Sequence, residues 1–286
     1  MIVAPRFSEV PRRNARFVVA DLSGGRLEDA LEGGVDLLEV SDEELESDGR
    51  LSKAGSLTAG HDVVIAAPSW DSSGASAFLT AALADGRLIL DRRSDDALPD
   101  VKIFAVEAAP AFIVRAAMTG AFGPPPDVVL SGINIGPNTG HAALHSGTVG
   151  AALTGSTTGT RAAAFSIGVG NPIHWETAAR VAEQLLASIV DGAGQLVLDV
   201  NVPNVAPQDL TGMRAAHLAT VGAVLTETGE GYVKLDYEAL GGELEPGTDV
   251  AVLADGAASV TALRAVCEAA DIDVEGMLEA LTRIAT

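Results

Sequence analysis

One cysteine, Cys267, stands among 286 residues. No disulfide can form within the chain, and no cysteine-based metal site can be built from it. Aromatic residues make up 4%, so Val, Leu, Ile and Ala have to fill whatever core there is. Positive charge is scarce too: 18 Lys and Arg stand against 39 Asp and Glu, for a net charge of −21 and a pI near 4.4. Such a field repels nucleic acid and anionic lipid, and neither is expected as a partner. It also repels phosphate esters, unless a metal ion or a local nest of backbone N–H groups offsets it. No stretch approaches the roughly 18 uninterrupted apolar residues of a membrane span. The opening, MIVAPRFSEVPRRNAR, has no apolar run of signal-peptide length. The expectation is a soluble, cytoplasmic protein.

What is present is globular. Hydrophobic residues make up 48% and charged residues 20%, outside the range of disordered chains. Apolar, β-branched runs recur: 16-RFVVADL-22, 35-VDLLEV-40, 62-DVVIAAP-68, 87-RLILD-91, 101-VKIFAV-106, 127-DVVL-130, 162-AAAFSIG-168 and 196-LVLDVNVP-203. They read as strands, with 62–68 and 127–130 as buried ones. Helical patterns lie between them at 26–33, 109–120, 147–159 and 174–191. Ser41 and Glu44 have the spacing of a capping box. The tail 264–286 reads as a helix pair or one broken helix. From 205 to 263 the pattern shifts to shorter strands with glycine turns. Alternating strands and helices predict an α/β fold: a three-layer, Rossmann-like core over 61–204, an atypical segment 1–60, and a smaller β-rich extension at 205–263.

Open α/β sheets bind ligands beyond the carboxyl ends of their strands, and three polar loops are expected there. The loop 69-SWDSSGAS-76 offers the hydroxyls of Ser72, Ser73 and Ser76, which suit a hard cation or a phosphate oxygen and equally suit an ordinary turn. The stretch 131-SGINIGPNTG-140 is denser in glycine. Asn134 follows a buried strand directly, and its amide oxygen is a donor for Mg²⁺ or Mn²⁺. Asn138, on a Gly-Pro-Asn turn, is either a ligand or a residue tolerating a left-handed conformation. At 145-HSGTVG-150 a helix begins, so Ser146, Gly147 and Thr148 make an anion site, or Ser146 serves only as an N-cap. His145 flanks that start and is a further candidate for facing a ligand. His141 stands four residues before it, but in a loop, which is no zinc spacing.

Together these residues carry a resemblance. GHDVVIAAPSWDSSGAS, PDVVLSGINIGPNTG, HSGTVGAALTG, LDVNVP and EPGTDVAVLADGAASVTAL are similar, in order, to the markers of the SurE family, the survival-protein 5′/3′-nucleotidases, over about 60–263. The resemblance implies a SurE-type fold and a metal-dependent phosphomonoesterase acting on nucleoside monophosphates. It implies a homodimer or homotetramer, with the β-rich part at 205–263 reaching a neighbour. The family's metal is held by two adjacent aspartates, a serine and an asparagine. Ser73 and Asn134 match the last two, and Ser146–Thr148 match the phosphate-contacting segment.

The aspartate pair is missing. The family's first strand ends in T-N-D-D-G, and no Asp-Asp-Gly occurs before residue 60; Asp95–Asp96 is the only adjacent pair. The family's G-T-P-A-D-C segment is altered to 107-EAAPAFIV-114. Residues 16–50 instead resemble an internal piece of PfkB-type sugar kinases, without that family's Gly-Ala-Gly-Asp motif. The strand at 16–22 is expected to take the missing sheet position, with Asp21 as substitute metal ligand and catalytic residue beside Ser73 and Asn134. The functions left open are an impaired phosphomonoesterase and a nucleotide- or phosphate-binding protein without turnover.

Overall fold

The computed structural model describes residues 16–19, 61–70, 72, 74–94, 98–192, 194–220, 225–229, 232–236, 244–265, 267, 268, 271–275 and 278. The expected elements at 26–33 and 35–40, the Ser41–Glu44 box, Asp95–Asp96 and most of the 264–286 tail lie outside these residues, as do Asp21 and Ser73.

The strands are β1 Arg16–Val19, β2 Asp62–Pro68, β3 Leu83–Ala84, β4 Arg87–Leu88, β5 Leu90–Arg93, β6 Lys102–Val106 and β7 Val128–Ile135. After these come β8 Arg161–Ile167, β9 Val197–Val202, β10 Met213–Ala215, β11 Leu225–Gly229, β12 Tyr232–Asp236 and β13 Ala258–Leu263. The helices are α1 Pro110–Met118, α2 Gly147–Ser156, α3 Trp175–Asp191 and α4 Asp249–Ala254, with a 3-10 turn at Gly140–His145. Nine strands form one sheet in the order β10-β13-β9-β8-β7-β1-β2-β6-β5. From β6 across to β9 every neighbouring pair is parallel. β5 and β13 join antiparallel at the two flanks. The expected strands at 62, 127, 162 and 196 therefore share one sheet, the α/β core the alternation implied. Two strands of the 205–263 stretch, β10 and β13, extend that same sheet, while β11 and β12 pair as a separate hairpin.

β1 takes the sheet position left open by the missing first strand. Phe17, Val18 and Val19 pair with Val63, Val64 and Ile65 on one side and with Val128, Val129 and Leu130 on the other. The strand order reverses here. The chain steps outward through β2 and β6 on one side and through β7, β8 and β9 on the other, so the topological switch point lies beside β1.

Side chains alternate across a strand, and β2, β7, β8 and β9 are buried on both faces. Val63, Ile65 and Ala67 of β2 join Leu130, Phe165 and Val200 under α3. Val64 and Ala66 join Val129, Ala162 and Ala164 under α1 and α2. Phe122 and Phe165 are the only aromatics in the described apolar core, so the aliphatic residues do fill it. Among the described residues, no helix is long and apolar enough to cross a membrane.

Candidate functional site

β7 runs further than its apolar stretch suggested. Val128 to Leu130 pair with β8 in simple register, the register shifts between Ser131 and Asn134, and pairing resumes at Asn134–Ser166 and Ile135–Ile167. Asn134 thus sits on a strand rather than in a loop. The irregularity depends on Gly132, whose φ of +115° is open to glycine, and where a Cβ would stand 2.2 Å from the Phe165 carbonyl oxygen. Beyond the shift, Asn134 occupies the carboxyl end of β7, the strand that pairs with β1 on its other side. Its Nδ2 donates to the carbonyls of Ile135, at 3.3 Å, and Gly136. With the nitrogen committed to backbone, the amide is oriented and Oδ1 is the atom left for a ligand.

Asn138 is an anchor for the chain, and the left-handed alternative does not hold. Among the described residues, Ser76 and Asp85 are the non-glycine residues with positive φ, so Asn138 is not left-handed. Its backbone N–H donates to Asn201 Oδ1 at 2.6 Å, its carbonyl accepts from Asn201 Nδ2 at 3.3 Å, and its own Nδ2 donates to Ser166 Oγ at 2.7 Å. Two residues on, the Gly140 N–H donates to Asp249 Oδ2 at 2.7 Å, while Asp249 Oδ1 accepts from Ala219 and Val250. Ser166, Asn201 and Asp249 are all fully buried. The segment after Asn134 is therefore pinned to β8, β9 and α4.

The next piece is the start of α2. Ser146 caps it, its Oγ accepting from the Val149 N–H at 3.1 Å. The capping alternative is therefore present, and the hydroxyl is occupied by it. Thr148 is buried, and Gly147 lies beneath the Ser72 carbonyl. His145 closes the 3-10 turn and is exposed, as is His141. The serine loop docks on this turn: Ser76 Oγ donates to the Leu144 carbonyl at 2.6 Å and Ser76 N–H to that of His145 at 3.1 Å. Its hydroxyl is thus committed, while Ser72 Oγ makes one long bond, 3.4 Å, to the Trp70 carbonyl. A Cβ on Gly150 would stand 2.3 Å from the Ser76 carbonyl oxygen, so the bare backbone of α2 is what lets the serine loop approach.

Of the sequence candidates, Asn134, Asn138, His145, Ser146, Gly147 and Thr148 fall on the consecutive stretch from the end of β7 to the start of α2. Among the described residues, no three His, Cys, Asp or Glu gather as a metal cluster. The donor chemistry is oxygen-based, with Asn134 Oδ1 turned away from backbone donors, and oxygen donors suit Mg²⁺ or Mn²⁺. Asn201, Asp249 and Ser166 went unrecognised in the sequence. For Asn201 the signal was the alternation in LDVNVP, polar residues at every second position of a strand run; Ser166 and Asp249 gave none.

Comparisons with known proteins agree with this architecture. The family described as survival protein SurE matches residues 41–223. The 5′-nucleotidase SurE of Methylococcus capsulatus is 34% identical over 210 residues, covering 71% of this chain and 80% of that protein. The 5′-nucleotidase SurE of Halorhodospira halophila is 37% identical over 185 residues, covering 64% and 70%. The crystal structure of the SurE protein from Aquifex aeolicus superposes with a TM-score of 0.64 at 23% identity, over 96% of this chain and 100% of that one. None of these supports the sugar-kinase likeness of 16–50. A family match over most of the chain and relatives above 30% identity place the chain in the SurE family.

Proposed function

We propose that this chain is a metal-dependent phosphomonoesterase of the 5′-nucleotidase type, converting a nucleoside 5′-monophosphate and water to nucleoside and phosphate in the cytoplasm. The observation that carries the reading is the position of Asn134: at the carboxyl end of β7, beside β1 and the switch point, with its amide nitrogen held by the backbone. The names of the relatives supply the substrate class.

In this reading Asp21, Ser73 and Asn134 hold one Mg²⁺ or Mn²⁺. Asp21 follows Val19 by two residues in the sequence, and Val19 is the last described residue of β1, paired with Leu130 of β7. The ion, when bound, neutralises phosphate charge and activates water. The helix start at Ser146, Gly147 and Thr148 carries partial positive charge toward the phosphate, which offsets the −21 net charge because a screened distant field is weaker than local donors. Asn138 and His145 complete the phosphate surroundings. The ties from Asn138 to Asn201 and from Gly140 to Asp249 hold this stretch in place before substrate arrives.

Catalysis in this reading is weakened. Ligand charge supplies much of the affinity for a divalent ion. The chain has one candidate carboxylate, Asp21, where its family has an adjacent pair. A second reading, a phosphate- or nucleotide-binding protein without turnover, is favoured by that single difference. Phosphate release from nucleoside 5′-monophosphates, with Mg²⁺ or Mn²⁺ against a chelated control, separates them. The nucleotidase reading expects metal-dependent release that falls in Asp21→Asn. Binding of nucleotide with no release under any metal supports the second reading. Release that survives Asp21→Asn unchanged removes Asp21 from the site.

A homodimer or homotetramer belongs to the same proposal. β11 and β12 form a two-stranded sheet outside the main one, and isolated hairpins are marginally stable in water, so a neighbouring subunit would support this one. Sedimentation of a 29.0 kDa monomer at micromolar concentration would contradict it.

A further inference from the structure

The face of β9 and β13 below the Asn138 segment holds a carboxyl that the proposed chemistry does not use. Asp199 is fully buried, and neither of its oxygens has a hydrogen-bond partner. Across the strand pair it faces Thr261, and the next rung toward the site pairs Asn201 with Ser259. The hydroxyls of Thr261 and Ser259 are buried and unpartnered as well. Buried polar atoms are ordinarily satisfied, so three such groups on adjacent rungs call for a physical account.

Charge supplies it. On β8, the register partner of Asp199 is Ala164, and Ser166 lies one rung beyond on the same face. Arg161, at the far end of β8, donates to the Val190 carbonyl. Neither β13, Ala258–Leu263, nor α2 carries an ionisable side chain. α4 brings Asp249, a second acid, also fully buried. β10 places Arg214 beside Ser259, but its guanidinium is half-exposed and paired with Asp255 at 2.7 Å, so it does not compensate Asp199. Burial first, then the charge of Asp249, raises the Asp199 pKa well above the ordinary carboxyl range; the Asn201 amide opposes this from nearby, but its Nδ2 donates to the Asn138 carbonyl and makes no well-formed bond to Asp199. The two acids are not equivalent. Asp249 accepts three backbone N–H groups, from Gly140, Ala219 and Val250, whereas Asp199 accepts none.

We propose that Asp199 is a neutral carboxylic acid in the folded protein and a positioning residue, one that keeps the Asn138–Gly140 segment seated over β9. The segment has two ties. Asn138 is bound to Asn201, two residues from Asp199 on the same face of β9. Gly140 is bound to Asp249, whose charge acts on Asp199. Protonated, Asp199 leaves one anion in the pocket. Ionised, it sets a second, uncompensated charge beside Asp249. Relief then comes from moving α4 and Gly140 away from β9, which loosens the segment between Asn134 and α2. The consequence for phosphate rests on the phosphatase reading; the protonation state does not.

Asp199→Asn is isosteric and neutral at every pH, and denaturant unfolding across a pH series tests the first half. The unfolded carboxyl ionises near its ordinary value, while the folded one keeps its proton to higher pH. Between the two, wild-type stability falls as pH rises. The variant lacks that slope, so its advantage over wild type should grow from about pH 4 upward and level off only when the folded group ionises. A gap that does not change with pH overturns the proposal. So does a less stable variant beside a wild type that added K⁺ or Mg²⁺ stabilises, which is the behaviour of an ionised Asp199 holding a cation. The wild type alone provides a second check: a protonated-carboxyl infrared band at neutral pH that survives exchange into heavy water. Its absence would also overturn the proposal.

Calorimetry with inorganic phosphate tests the second half. At alkaline pH the variant should bind about threefold to tenfold more tightly than wild type, the span of coupling through a packed network, and the two should converge at lower pH. A ratio independent of pH overturns the positioning role. Phosphate binding by neither protein counts against both that role and the phosphatase reading, while the stability slope still decides the protonation.

Discussion

On the face of the sheet that α3 covers, Val63, Ile65, Leu130, Phe165 and Val200 succeed one another strand by strand, and the layer is apolar from β2 to β9. The opposite face starts the same way, with Val64, Val129 and Ala162 under α1 and α2. Toward β9 it changes: Ser166, Asn201, Asp199, Ser259 and Thr261 are as deeply buried as any valine. Burying polar groups is unfavourable unless they are hydrogen-bonded, so the second arrangement is kept for what it holds. What it holds is the Asn138–Gly140 segment. The apolar face sustains the fold, and the polar face fixes the shape of the site at its edge.

A core truncation on the apolar face should have the largest effect on stability. Ile167 is fully buried on β8 within that layer, and Ile167→Ala should cost about 2–5 kcal/mol, for lost transfer energy and the cavity left behind. Urea unfolding measures it. Phosphate affinity of the folded fraction should be unchanged. If it falls in step with stability, the division between the faces is wrong.

On the polar face the expected costs separate differently. Asn201→Ala leaves the N–H and carbonyl of Asn138 without their partner and should cost about 1–3 kcal/mol, the range for stranding buried polar groups. Here phosphate or nucleotide affinity should fall as well. Asn201→Ala with full affinity would mean that the tie to β9 does not position the site. Ser146→Ala should cost about 1 kcal/mol through the lost cap on α2. Ser146→Asp, which can cap, should restore stability, while its negative charge weakens phosphate binding.

The two faces were not equally legible in the sequence. Periodicity is local, and it located β2, α3 and β9 to within a residue or two. It also found β1, whose run RFVV takes the vacant sheet position. It ended β7 too early, because Ser131 and Gly132 read as a turn where the strand only shifts register before Asn134. It could not pair Asn138 with Asn201, 63 residues away, or Gly140 with Asp249, 109 residues away. Those contacts exist only once β9 and α4 are packed, so no window of sequence contains them. For the same reason the sequence offered Asn138 as a turn residue or a ligand and did not show the bonds that make it an anchor.

Asn134 should give the smallest change in stability and thereby sharpen the contrast. It is half-buried at the strand end, and its side-chain bonds go only to the carbonyls of Ile135 and Gly136, one and two residues along. Asn134→Ala removes those local bonds and opens no cavity inside either layer. The cost should stay within about 1 kcal/mol, the scale of an ordinary hydrogen bond. Its functional effect should run the other way. If Asn134 Oδ1 is a metal donor, Mn²⁺ binding followed by calorimetry should weaken, and metal-dependent phosphate release should be lost. Asn134→Asp adds the charge that the site has in short supply, so Mn²⁺ should bind more tightly than in wild type, since ligand charge sets much of the affinity of oxygen sites. A variant series in which Ala weakens and Asp strengthens Mn²⁺ binding, at nearly constant urea midpoint, identifies Asn134 as a donor. Equal Mn²⁺ binding in all three proteins would remove Asn134 from the metal site and leave it as the residue that terminates β7.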